Sequence, residues 1–133
     1  MPVVYEFDHA NRRIHTRCIG PVSLQEVLQH FVDLIRDPDA PEWLDVLLDL
    51  SEMTSLPTTG ELSAVATQIA RVSPRVQFHN CAIIASDDAL FGMSRVFGVL
   101  SENYFAATRV FRTTDEGLTW LDSLMVPPPP GAA

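Results

Sequence analysis

Apolar and polar positions change period several times along the chain, and each change marks an element. Val3 to Phe7 and Arg12 to Ile19 read as two strands, and Asp8, His9, Ala10 and Asn11 between them suit a hairpin tip. Gly20 and Pro21 break that pattern. Ser23 and, three residues later, Glu26 form a capping box, in which each side chain takes an orphan N–H of a first helical turn. From Leu24 the apolar residues Val27, Leu28, Phe31, Leu34 and Ile35 recur at three and four, which predicts a helix with one buried stripe. The segment Asp37 to Pro41 ends it.

Leu44 to Leu50 is an apolar run of strand length and is predicted to be the central strand, covered on both faces, whereas Ser51 to Thr59 has turn composition. Thr58 with Glu61 is a second capping box, opening a helix whose stripe is Leu62, Val65, Ile69 and Val72 and whose end is marked by Ser73 and Pro74. Cys81 to Ala85 is again strand-like. Ser86 or Asp87 then caps a third helix, with Leu90, Met93, Val96, Phe97, Leu100 and Tyr104 expected on its inner side. Arg109 to Arg112 is a last strand, and Thr113 with Glu116 caps a final helix carrying Leu118, Leu121 and Leu124. This order predicts an α/β fold: a mixed sheet of about five strands, an N-terminal hairpin followed by strand–helix repeats, covered by about four helices. Residues 1–126 are expected to form one domain, and 127–133, with Pro127 to Pro130 and Gly131, a Pro-rich tail without regular structure.

Composition narrows the possible roles. A chain of 133 residues that is 47% hydrophobic can bury a core without metal or disulfide staples. Its 9 basic residues, all Arg, face 17 acidic ones, and a net charge of -8 repels phosphate backbones and anionic lipid, so no nucleic-acid partner is expected. No apolar run approaches the roughly 18 residues of a membrane span, so no stable membrane insertion is expected, and a cytoplasmic location follows as the expectation. Cys18 and Cys81 each lie in an apolar stretch and are predicted to be free, buried thiols. No metal-ligand spacing or glycine-rich phosphate loop occurs, so no cofactor is expected. The candidate acid–base groups His9, His15, His30, His79 and Asp49 have no catalytic spacing, and Ser63, Ser73 and Ser94 lack a nucleophile elbow. A non-enzymatic role is therefore the expectation, with His9 in a turn and His30 on the surface of the first helix.

The stretch LLDLSEMTSLPTTG, ending at Gly60, resembles the strand and loop of STAS domains, the fold of bacterial anti-sigma-factor antagonists, where an Asp after an apolar strand precedes a Ser or Thr and a Gly opening the next helix. The segments ASDDALFGMSRVFGVL from Ala85 and VFRTTDEGLTWL from Val110 resemble an uncharacterised bacterial SpoIIAA-like branch of STAS and CRAL-TRIO-related proteins. In the phosphorylated antagonists the acceptor hydroxyl lies just before the loop Gly, so the resemblance implies Thr58 or Thr59 as its counterpart, although Pro57 stands where those proteins carry an Asp.

Two sets of candidate residues follow. Asp49, Ser51, Thr58, Thr59 and Gly60 form a candidate interaction or phosphoregulatory loop, since a phosphate on a hydroxyl at a helix N-terminus meets free N–H groups and the positive dipole end. Ser86 and Asp87 form a second loop at the carboxyl end of the next strand, where open α/β sheets place ligands, and Thr58 and Ser86 or Asp87 also read as ordinary helix caps. Phe91 and Val99 lie off the inner stripe of the third helix and are the candidate interface of a homo-oligomer. The resemblance implies a non-catalytic interaction or regulatory module acting on a protein partner or on itself. The alternative is a carrier of a small apolar ligand, to which the CRAL-TRIO resemblance and the bulky apolar third helix point.

Overall fold

The computed structural model describes residues 2–72 and 74–124. Two antiparallel strands open the chain, β1 (Val3–Asp8) and β2 (Arg13–Gly20), followed by α1 (Leu24–Arg36), β3 (Trp43–Met53), α2 (Thr59–Val72), β4 (Gln77–Ile84), α3 (Asp88–Leu100), β5 (Ala107–Phe111) and α4 (Thr114–Ser123). The hairpin tip is closed by Asp8, whose carboxylate accepts from the Asn11 backbone N–H at 3.2 Å and from its side-chain amide at 2.7 Å. Spatial order equals chain order, β1-β2-β3-β4-β5, with β2 to β5 mutually parallel. The predicted α/β mixed sheet, with its five strands and four helices, is thus the fold of the described chain.

This monotonic order decides where the helices go. Each crossover between parallel strands advances in the same direction, and crossovers are right-handed, so α1, α2 and α3 must all land on one face. There they cover Val46, Leu48, Cys81 and Ile83 with Phe31, Leu62, Ile69, Val72 and Phe97. A second cluster on this face joins Leu34 of α1 to Ile14, Leu44 and Val76. Because β5 is the last strand, α4 is free to fold back on the opposite face, where Leu121 packs on Leu47, Ala82 and Ile84. Gly117 lets α4 come this close: a Cβ at that position would stand 2.5 Å from the Ile84 Cδ1 atom.

Local rules seen in the sequence set the helix starts. Ser23 and Glu26 form a full capping box at α1, Thr58 and Glu61 form one at α2, and Asp87 caps α3 by accepting from the Leu90 N–H at 3.0 Å. At α4 Thr113 accepts from the Glu116 N–H, but the Glu116 carboxylate takes the Thr113 hydroxyl instead of the backbone N–H.

Several expectations are corrected. β3 runs on through Ser51 and Glu52 to Met53, because Glu52 and Met53 continue the parallel pairing with Ile19 and Gly20 of β2 after a shift in register. β4 begins at Gln77, paired with Trp43, four residues before its apolar run. On α3 the side against the sheet is Leu90, Ser94 and Phe97, with Met93 half-buried, while Val96 and Leu100 are 37% and 36% exposed. The inner stripe admits the small polar Ser94, and counting apolar residues alone rotated it. Tyr104 lies beyond the end of α3, in the turn before β5. His30 is half-buried rather than fully on the surface: its ring is wedged between Tyr5 and Phe31, with centroids 5.2 and 5.3 Å away. Ser73 and residues 127–133, expected to end α2 and to form a tail, lie outside the described residues. Among the described residues no helix is long and apolar enough to cross a membrane.

Candidate functional site

Parallel pairing of β2, β3 and β4 places their carboxyl ends on one edge of the sheet, and the helices that follow begin there. Side chains alternate along β3, so Leu48 and Leu50 face the three-helix side while Leu47 and Asp49 face the α4 side. Between the first turns of α1, α2 and α3 the three-helix side is not filled. A cavity of about 270 Å³ opens there, walled by Leu48 and Leu50 of β3, Leu62 and Val65 of α2, and Met93 and Phe97 of α3. Cys18 and Ile83 form its floor on the sheet, and Val22, Met53, Leu56 and Pro57 border it from the loops. Its polar boundary is Ser23, Ser55, Glu61 and Ser94, and no Arg, Lys or His lines it.

The loop between β3 and α2 is held at both ends. The Ser55 hydroxyl accepts from the Val22 N–H at 2.9 Å and donates to the Val22 carbonyl at 3.1 Å, tying the loop to the segment before α1. At the other end Thr58 donates its N–H to the Glu61 carboxylate at 2.9 Å and its hydroxyl accepts from the Glu61 N–H at 3.1 Å. Between these anchors Leu56 is 54% exposed although it also borders the cavity.

The sequence-predicted residues divide between two sides of this edge. Thr58, Thr59 and Gly60 are exposed at the start of α2, with Thr58 engaged in its cap. A Cβ at Gly60 would meet only the Thr58 hydroxyl, at 3.9 Å, so packing does not demand a glycine there. Asp49 points to the opposite side, where its carboxylate accepts from the Ser51 N–H and hydroxyl at 2.9 and 2.6 Å and lies 3.9 Å from His15 Nε2. Ser86 and Asp87 open α3 at the same edge of the sheet. The Ser86 carbonyl accepts from Arg112, which also pairs with Asp88 at 2.7 Å and stacks over the half-buried Phe91 ring at 4.1 Å. Val99 is 66% exposed and, with Val96 and Leu100, forms an apolar strip on the outer side of α3.

Burial governs the titrating groups on the three-helix side. It pushes the Cys18 thiol up to about 11, helped by the nearby Asp49 charge, and the Cys81 thiol up to about 12. Both are free, buried thiols, so neither is activated as a nucleophile at neutral pH. On the β4 side of the sheet the buried Asp45 accepts from the Asn80 N–H at 2.9 Å and lies 3.3 Å from His79 Nδ1, over which Trp43 is tilted. The structure thus brings together two His–Asp pairs that have no pattern in the sequence. Among the described residues no group of three or more His, Cys, Asp or Glu converges to hold a metal ion.

The cavity walls escaped the sequence reading. Leu62, Val65, Met93 and Phe97 read as ordinary helix stripes, and Met53 and Leu56 fell in a segment of turn composition. Their signal was two large apolar residues in a stretch otherwise suited to solvent.

Comparison with known proteins places the fold. No family model matches the chain, and no curated protein matches it. Among solved structures it is similar to an uncharacterised protein of the DUF3478 family from Shewanella loihica PV-4, described as having a SpoIIAA-like fold. That likeness has a TM-score of 0.57 at 16% identity and covers 90% of this chain and 91% of the other. The chain has a SpoIIAA-like fold.

Proposed function

We propose that this SpoIIAA-like chain is a non-catalytic interaction module that docks a protein partner through the loop between β3 and α2. The observation that carries the reading is Leu56. A large apolar side chain left 54% exposed costs solvation, yet this one is held outward by a loop anchored at Ser55 and at the Thr58 cap. A pre-ordered apolar anchor loses little entropy when a partner covers it. Around it Thr54, Thr58 and Thr59 are exposed, supplying the polar rim expected of a docking patch. Thr58 serves this surface as the cap of α2. A phosphate on its hydroxyl would face the Glu61 carboxylate already bound to the Thr58 N–H, which favours docking over phosphate exchange as the working principle.

A photoreactive amino acid at position 56 tests the reading in cells of the source organism, with the same group at exposed Glu102 as control. A discrete protein adduct is expected at 56 and absent at 102, and Ser55→Ala, which frees the loop, is expected to weaken it. No adduct at 56, or the same adducts at both positions, would contradict docking through this loop. Self-association is a second proposal, carried by the Val96, Val99 and Leu100 strip; Phe91, the other residue expected at this interface, is half-buried under Arg112. Sedimentation at micromolar concentration is expected to give a dimer and Val99→Asp a monomer. A monomeric wild type would rule it out.

A further inference from the structure

The last strand leaves one edge of the sheet open. β5 pairs with β4, and no described strand pairs with its outer side. The Phe111 carbonyl accepts from the Ala85 N–H at 2.9 Å, which turns the backbone of Phe111 toward β4. By the alternation of a parallel strand, the N–H and C=O groups of Thr108 and Val110 then point outward. An unpaired row of this kind is a template for another strand.

α3 overhangs that edge without closing it. A groove of about 520 Å³ runs between them, walled by Phe91, Arg95, Val99 and Glu102 on the helix and by Thr108 and Val110 on the strand. Gly98 keeps it open: a Cβ there would touch only the Thr108 side chain, at 3.5 Å, so the missing side chain leaves space and does not relieve a clash. In the same wall the Thr108 hydroxyl is buried without a hydrogen-bond partner among the described residues. A strand added to β5 would lie about 4.8 Å beyond it and occupy this groove.

Charge selects the strand. Arg95 stands on the helix side of the groove. Arg109, in the middle of β5, turns to the α4 side, where its guanidinium lies 5.3 Å from the centre of the Phe111 ring, itself packed on Trp120 of α4. Both arginines are exposed, and among the described residues neither forms an ion pair. Glu102 is the one acid in the wall. In a chain of net charge -8, an added strand would therefore meet an unpaired cation on each of its faces, and acidic side chains on it find a counter-ion whichever way they alternate. A second copy fits poorly. Two β5 strands paired antiparallel through their outward residues Thr108 and Val110 would set Arg109 against the same arginine of the copy. A nucleic acid offers phosphates to the arginines but no N–H and C=O ladder to the strand.

We infer that the groove between α3 and β5 takes an extended acidic peptide segment of a partner protein, which pairs with β5 as an additional strand and sets its carboxylates at Arg95 and Arg109. The surface is separate from the docking proposed at Leu56, since β4 lies between β5 and the strand that carries that loop.

Amide NMR and hydrogen exchange on the full chain test it with four probes. They are a capped peptide alternating glutamate and valine, the same peptide with lysine for glutamate, the acidic peptide with every backbone nitrogen methylated, and oligothymidylate. With the acidic peptide, saturable shifts and slowed exchange are expected at the Thr108 and Val110 amides, with the amides of β1 at the other edge unmoved. The other three probes should bind at least roughly ten-fold more weakly. Arg95→Gln combined with Arg109→Gln should weaken the acidic peptide by about ten-fold. Gly98→Leu, which puts a side chain into the groove, should abolish its binding while circular dichroism stays native, and the arginine pair carries the test if that variant does not fold. No binding, equal binding of any of the other probes, the same protection along β1, or an affinity unchanged in the arginine double variant would overturn the inference. Protection of Thr108 and Val110 that rises with protein concentration in the absence of peptide would assign the edge to a second copy and overturn it as well. None of these outcomes bears on adducts at position 56.

Discussion

On one face of the sheet α4 lies so close that Gly117 has no room for a side chain, while on the other α1, α2 and α3 leave about 270 Å³ unfilled between their first turns. Both faces rest on the same strands, and Leu47 and Leu48 are neighbours pointing opposite ways. The difference lies in how each layer is placed. One helix carrying a glycine can settle onto the small Ala82 until contact is complete, whereas three helices must each follow their own crossover. Packing is complete where stability is made, and incomplete at the edge where parallel α/β sheets place ligands.

Adding volume breaks the comparison most sharply. Gly117→Val would drive methyl groups against Ile84, Leu47 and Ala82, all fully buried, and is expected to cost about 3 kcal/mol in urea denaturation. A loss below about 0.5 kcal/mol would mean that α4 can simply stand off, and the contrast between the faces would lapse.

A second difference is polar. On the α4 side buried Asp45 is satisfied by the Asn80 N–H, whereas on the three-helix side His30 Nδ1 is buried without a hydrogen bond. Burial against Tyr5 and Phe31 lowers the His30 pKa from 6.5 to about 4, with Asp33 opposing. The unfolded chain therefore takes up a proton first as pH falls. The stability contributed by neutral His30 is present above pH 6.5 and is lost progressively down to about pH 4, by about 3 kcal/mol. His30→Phe should remove that slope in denaturation curves measured between these limits, and an unchanged slope would return His30 to solvent.

The smallest effect is the most discriminating. Val65→Leu adds one methylene on the cavity side and is expected to change stability by less than about 1 kcal/mol, or to raise it, because the methylene enters existing space. A loss comparable to that of Gly117→Val would show the cavity to be packed as tightly as the α4 interface.

The sequence signals that held were those resting on local hydrogen bonding. Ser23 with Glu26, Thr58 with Glu61 and Asp87 placed three helix starts, because a cap is satisfied within one turn and needs no tertiary partner. Signals resting on tertiary contacts did not carry as far. Ser51 and Glu52 are strand because β2 runs beside them, and Val96 and Leu100 face outward because α3 turns Ser94 to the sheet. The candidate loops were found at the edge where the strands end, but Asp49 was grouped with Thr58 although alternation along β3 sends it to the other face. The cavity was illegible for a simpler reason: every wall residue is a normal core residue, and only the distances between helices leave it empty.

Xenon under pressure tests the central contrast most directly, since it enters dry apolar cavities without needing a hydrogen bond. In crystals of the protein pressurised with xenon, occupancy is expected between Leu50, Met93 and Phe97 and none between α4 and the sheet. Xenon absent from that space, or bound equally beneath α4, would contradict it.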